Sequence, residues 1–278
     1  MCEFCVKHGE GKKWYLQARN YGLDLASDLR RRRFIGEFFN SFDRKWGAQL
    51  ERMRRLDRAP RVVQSLRRGW MTRRMKRQHF GQVLPLEDVR QVMEIAGSVV
   101  CTPCACRGLT RGDKDARFCF GVSISPKAAI AFSEVDESFA AGPETQMTER
   151  LEPAQALDMM ADFEKRGLVH SVWTFVTPFI AGICNCDRSD CLAMIAAVGH
   201  DTRFMFKAEY VAQVDWDQCE GCRACMRQCQ FGAIGYSAAA SKCVIDQQQC
   251  WGCGVCRAAC ARDGISLIPR SDVPALGW

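Results

Sequence analysis

No apolar stretch of the 278-residue chain approaches the ~20 residues that a membrane-spanning helix needs, so the sequence predicts no transmembrane segment. It holds no Gly-x-Gly-x-x-Gly fingerprint, no Gly-x-Ser-x-Gly elbow and no His-Glu-x-x-His pattern. The local signals of dinucleotide binding, serine hydrolysis and zinc proteolysis are therefore missing. Gly9-Glu10-Gly11-Lys12 is too short for a phosphate-binding loop and follows no apolar strand. Arg31-Arg32-Arg33-Phe34-Ile35 looks like a twin-arginine export signal, but the uncharged apolar run that must follow is replaced by Glu37, Asn40, Asp43, Arg44 and Lys45. Export is not expected. Nor is nucleic acid an expected partner, because no reading module accompanies the arginine runs.

What the chain has in excess is cysteine, 18 residues in all, and segregated charge. Residues 1–80 carry 21 Lys and Arg against 8 Asp and Glu, a net of +13, and the remainder carries 18 against 24, a net of −6. The overall +7 thus hides a basic N-terminal third on a mildly acidic body. An apolar content of 47% suffices for a core, and the length suits one to three domains.

Eight of the cysteines form two matching runs. Cys219, Cys222, Cys225 and Cys229 follow C-x2-C-x2-C-x3-C, and Cys250, Cys253, Cys256 and Cys260 repeat it 31 residues later. A cuboidal cluster needs four thiolates at tetrahedral corners. Two-residue gaps let a short loop supply three of them while backbone N–H groups point at the sulfides. The stretch 209–270 resembles a bacterial-type ferredoxin domain with two [4Fe–4S] clusters. The resemblance implies that each fourth cysteine serves the other cluster, so that Cys219, Cys222, Cys225 and Cys260 hold cluster I and Cys250, Cys253, Cys256 and Cys229 hold cluster II. Structural zinc is the alternative, but it leaves two triplets with trailing fourth cysteines unexplained. Gly221, Gly252 and Gly254 suit tight turns against sulfur. Strands are predicted at Tyr210–Val214, Ala233–Tyr236, Cys243–Asp246 and Gly264–Ile268, giving a pseudo-twofold repeat. Gln230 and Ala261 stand where the family usually has proline. Thiolate ligation predicts a reducing compartment, the cytoplasm of an anaerobe or facultative anaerobe.

In the basic third, Phe34, Ile35, Phe38, Phe39, Phe42, Trp46, Leu50, Met53 and Leu56 recur at three- and four-residue steps. Pro60 is expected to start a second helix with Val62, Val63, Leu66, Trp70, Met71 and Met75 on one face, and helix to end near residue 79. The plain expectation is a helical hairpin that packs its stripe on the body. The functional one is a docking surface for an acidic redox partner or subunit, with an interfacial membrane helix as a further alternative.

The middle region holds a second constellation: Cys104 and Cys106, then Cys119, then Cys184 and Cys186, then Cys191, with Cys101 as a seventh thiol. Thiols reaching one point from two strand ends suit a third Fe–S cluster or zinc; buried inert thiols are the alternative. Arg107 is placed to offset thiolate charge. His170 and Cys243 are expected in the core, and Cys2 and Cys5 join a metal site with His8 in the functional reading of the N-terminus. Pro103-Cys104-Ala105-Cys106-Arg107, Cys119-Phe120-Gly121, Gly167-Leu168-Val169-His170 and Ile183-Cys184-Asn185-Cys186, followed by the two runs, resemble a family of 4Fe–4S binding proteins of anaerobic bacteria and archaea. The resemblance implies an electron-transfer component. Asp187 and Ser189 differ from relatives, which often place further cysteines there.

The expected fold is α+β: a helical N-terminal extension (1–83), a mixed cysteine-rich α/β middle domain (84–208), a two-cluster ferredoxin-like domain (209–270) and a tail (271–278). The expected role is an electron-transfer protein or subunit of an oxidoreductase. The alternatives are an oxidoreductase with its substrate at the middle cysteines and a redox- or iron-sensing regulator.

Overall fold

The structure, a computed structural model, describes residues 13–125 and 148–273. Cys2, Cys5, His8 and the Gly9–Lys12 segment lie outside the described residues. No helix among those described is long and apolar enough to cross a membrane.

The basic third is helical but broken. Short 3₁₀ turns at Trp14–Leu16 and Ala18–Tyr21 precede α1 (Leu29–Asn40), α2 (Phe42–Asp57) and α3 (Arg61–Gln78). Asp28 caps α1 by accepting from the N–H groups of Arg30 and Arg31. The aromatic stripe of α1 and α2 does pack on the body: Ile35, Phe42 and Met53 are buried, and Phe38 meets Phe175 edge-on with ring centroids 5.6 Å apart. Arg31 is buried and donates from Nε to the carbonyls of Phe175 and Val176 at 3.2 and 3.1 Å, so one member of the arginine run is a structural tie. Helix α3 departs from expectation. Val62, Leu66 and Trp70 are 70%, 70% and 61% exposed, and only the Met71–Met75 edge reaches the core. Arginines at 61, 67, 68, 73, 74 and 77 leave α3 no uncharged face wide enough to bury.

Alternating apolar side chains build the central sheet. Its strands are β1 (Gly81–Leu84), β2 (Ser98–Thr102), β3 (Cys119–Ser123), β4 (Glu149–Leu151), β5 (Val169–Thr174), β6 (Ile180–Cys186) and β7 (Met205–Phe206). Their order is β4-β2-β3-β6-β5-β1-β7, antiparallel throughout except β1 against β7. Along β2, Val99 and Cys101 enter one core while Val100 enters the other. One face is covered by α4 (Leu86–Ile95) and α6 (Pro153–Lys165) together with Trp14, Tyr15 and Tyr21. The other is covered by α1, α2 and the turns at Leu192–Gly199. Between β2 and β3 runs α5 (Ala105–Arg111). The expected division at 83/84 falls inside β1, so the last residues of the basic third already belong to the sheet.

The C-terminal part pairs β8 (Tyr210–Val214) antiparallel with β11 (Ile265–Pro269), and β9 (Ile234–Ser237) with β10 (Lys242–Ile245). Short helices α7 (Ala224–Gln228) and α8 (Val255–Ala258) carry the third cysteine of each run. The whole is a mixed α/β chain with its cysteine-rich C-terminal unit docked on the sheet domain. Arg270 fastens that unit internally by donating to the carbonyls of Ala208, Tyr210 and Cys250 at 2.8–3.1 Å.

Candidate functional site

The C-terminal runs sit in turns with left-handed backbone, which glycine adopts most readily and which Arg223 also takes in the first run. Gly221, Gly252 and Gly254 have φ of 69°, 70° and 87°. A Cβ on Gly221 would lie 2.3 Å from the Ser241 carbonyl oxygen, and one on Gly252 2.2 Å from that of Tyr210. Backbone N–H groups point at sulfur: Cys243 to Cys219 (3.4 Å), Ala212 and Gly252 to Cys250 (3.4 and 3.3 Å), Ala233 to Cys229 (3.4 Å). Such donors favour thiolate. At Cys219 they and Lys242 outweigh burial, and the thiol is held below its ordinary range. Burial pushes Cys225 and Cys256 up to about 12. Cys253 and Cys256 each also feel the charges of Cys250 and Cys229, which places the fourth cysteine of the first run beside the second run. Cys260 and Cys219 border one small core. Cys243 is buried against Cys225.

The six middle thiols converge. β2 ends at Thr102, whose partner across the ladder is Cys119, and Cys119 in turn faces Cys184. Because side chains alternate along a strand, the C-x-C at the end of β6 puts Cys184 and Cys186 on one face. Cys104 caps α5, Cys106 lies in its first turn and Cys191 precedes the Leu192–Met194 turn. Cys119 and Cys184 have Sγ atoms 3.7 Å apart. Hydrogen bonds also join Cys104 to Cys119 and Cys186 to Cys191. Every pair among Cys104, Cys106, Cys186 and Cys191 interacts. Cys101 does not join them. It faces the opposite core with Val99 and Phe120, and burial lifts its thiol to about 11. Among the described residues no group of three or more Cys, His, Asp or Glu side chains is drawn tightly enough to hold a metal ion without rearrangement, and this applies equally to the C-terminal runs.

Electrostatics divide the thiols. The hydrogen bond from Cys119, together with Arg107, brings Cys104 down to about 6. Its bond with Cys186 likewise lowers Cys191. Burial raises Cys106; a hydrogen bond to a more acidic neighbour raises Cys119 and Cys186. Among the described residues Arg107 is the cation in contact with the sulfurs of this set, its Nη1 3.9 Å from both Cys104 and Cys186. Asp187 (2.9 Å), Asp190 (3.3 Å) and the face of Phe118 (3.9 Å) hold it in place. Sequence reasoning found Arg107 but missed this cradle. The signal was there in Asp187 and Asp190 directly after Cys-Asn-Cys. His170 is buried and neutral, its pKa lowered to about 4 by burial, with Nδ1 2.6 Å from Asn185 Oδ1.

Gln230 joins the two assemblies. It follows Cys229, donates to the Gly167 carbonyl at 3.0 Å and accepts from the Arg188 N–H at 3.1 Å. Phe231 stacks on Trp251 at 4.6 Å, and Cys253 and Val255 share a core with Cys186 and Cys191.

Residues 212–235, which contain the whole first run, match the 4Fe-4S binding domain family. This stretch is an iron–sulfur domain of ferredoxin type, with at least one 4Fe–4S cluster and, in general terms, a role in electron transfer. No curated protein matches the chain.

Proposed function

We propose that the chain is an electron-transfer protein or subunit that carries two [4Fe–4S] clusters and passes low-potential electrons between a redox donor and a reductase partner. Cys219, Cys222, Cys225 and Cys260 hold cluster I; Cys250, Cys253, Cys256 and Cys229 hold cluster II, in a pseudo-twofold unit. The middle thiols Cys104, Cys106, Cys119, Cys184, Cys186 and Cys191 are the candidates from which a third centre, Fe–S or zinc, draws its four ligands. The observation that carries this reading is the facing of the runs. Cys222 is exposed, whereas Cys253 is buried in the core that also contains Cys186 and Cys191. That arrangement gives electrons a surface end and an inner end. The resemblance to the anaerobe 4Fe–4S binding family supports the same role, in the cytoplasm.

The partner docks on the basic helices. A cleft of about 650 Å³ between α1 and α3 is lined by Arg30, Arg33, Arg73, Arg74 and Arg77 around Trp70. Five guanidiniums around an exposed indole fit an acidic protein surface with an apolar centre. The cleft borders Val176 beyond β5, and Cys186 ends β6, about 20 Å away by strand rise. It therefore orients the partner, and electrons enter elsewhere.

Anaerobic reconstitution with iron and sulfide analysis tests the core of the proposal. About eight irons and eight labile sulfides indicate two clusters, and about twelve with no zinc indicate three. A colourless, iron-free protein would sink it.

A further inference from the structure

Six thiols converge in the middle domain, but a [4Fe–4S] cluster or a tetrahedral zinc takes four. Two are left over, and the structure indicates which. We infer that Cys104, Cys106, Cys186 and Cys191 form the metal site, and that Cys119 and Cys184 form a redox-active dithiol that reduces disulfide substrates. The inference rests on the preceding reading for its electron supply.

Cys119 and Cys184 have their Sγ atoms 3.7 Å apart, and Cys119 also hydrogen-bonds Cys104, which joins the pair to the quartet. Backbone context separates the two sets. Three of the quartet lie in turns or first helical turns beyond strand ends, and the fourth is the last residue of β6, where a chain can wrap round an ion. Cys119 opens β3 and Cys184 lies within β6, where the two stand directly opposite on antiparallel strands. Opposed Cβ atoms on such strands are about 4.5–5.5 Å apart and an S–S bond spans about 3.5–4.5 Å, so the strands draw together slightly as the bond closes. The Sγ atoms need only close from 3.7 Å to the ~2.05 Å of that bond. Arg107 contacts sulfurs of the quartet and none of the pair. Both members of the pair are half-buried, as is Cys106 of the quartet, while Cys104, Cys186 and Cys191 are buried.

The chemistry balances. One thiolate of the pair attacks a substrate sulfur, forms a mixed disulfide and expels the first substrate thiol. The second cysteine attacks the first, closes the Cys119–Cys184 bond and expels the second thiol. The substrate disulfide gains two electrons and the dithiol loses two. Two single electrons from a low-potential donor, passed through the ferredoxin-type domain, and two protons from water restore the dithiol.

The test uses the full reconstituted chain, with Cys119→Ser, Cys184→Ser and Cys104→Ser variants, and Cys119→Val with Cys184→Val in case serine disturbs the strands. Metal content is measured on every sample. The S–S bond is located by peptide mapping after mild oxidation, and glutathione disulfide reduction is followed with reduced viologen as donor. The expected result is wild-type metal in the Cys119 and Cys184 variants, less metal in Cys104→Ser, a Cys119–Cys184 bond in the wild type, and turnover lost when either member of the pair is changed. Metal lost from Cys119→Ser or Cys184→Ser as from Cys104→Ser overturns the inference, as does turnover that survives both changes or the absence of that bond. Failure of the preceding reading shows separately, in the wild-type metal content.

Discussion

The two cysteine runs of the C-terminal unit have the same spacing and opposite surroundings. The first has Cys222 exposed to water and its nearby charges, Glu220 and Arg262, paired on the surface. The second has Cys250, Cys253 and Cys256 all buried, its Trp251 stacked on Phe231, and Glu164 of α6 against its Gly254. A local motif fixes which atoms meet a cluster; burial fixes how strongly the loop is bound to the rest of the protein. Repeats alike in sequence thus differ in stability and in access to partners.

The sharpest way to break this comparison is to remove one thiol from each run. Cys253→Ser is expected to lose about four irons and also to loosen the shared core, lowering the melting temperature by many degrees. Cys222→Ser is expected to lose iron with a smaller thermal effect. Equal melting shifts, read by calorimetry beside iron analysis, would erase the distinction.

Next in size is Arg107→Ala. It leaves Asp190, only 2% exposed, with Arg111 as its one remaining ion-pair partner beside the Thr110 hydroxyl, and removes the cation from Asp187, so a loss of about 3–5 kcal/mol is expected from denaturant unfolding. Arg107→Lys should recover only part of this, because ammonium lacks the planar fork that stacks on Phe118. Gly252→Ala follows, with strain of at least about 1–3 kcal/mol from its positive φ and the approach to the Tyr210 carbonyl.

The smallest effect is one of pH. Burial lifts Glu164 beside the second run from 4.5 to about 7. The folded protein therefore holds a proton that the unfolded chain releases near 4.5. Stability from this group is full below that point and falls as pH rises to about 7. Glu220 beside the first run is lowered by its bond with Arg262, so its contribution has the opposite sign and is lost as pH falls. Melting curves of Glu164→Gln from pH 5 to 8 should lack the decline that the wild type shows. Parallel curves would remove Glu164 from the account.

The C-terminal strands lie within a residue or two of where the sequence predicts them, because each cysteine loop is bounded by β-rich pentapeptides and fixed by glycine. Helices α4 and α6 are legible as well, α4 from Leu86, Val89, Val92, Met93 and Ala96 falling on one side and α6 from Pro153 at its start and Gly167 just past its end. The order of the seven strands was not, since β1 and β7 are short and their pairing depends on contacts over a hundred residues apart. That Cys101 turns away from its neighbours follows from strand alternation, yet only once β2 is known to extend through Thr102. The exposure of α3 is not legible from apolar spacing alone, because the arginines flanking Val62, Leu66 and Trp70 leave no uncharged face wide enough to bury.

Gln230 occupies a position where proline would have ended a turn and touched nothing beyond. A hinge between the two cysteine-bearing halves would let their separation wander with every thermal excursion. An amide clasped at both ends, by Gly167 and Arg188, sets a fixed gauge length instead. Shuffling this C-terminal unit onto another scaffold would therefore forfeit that spacing, even with every thiol retained.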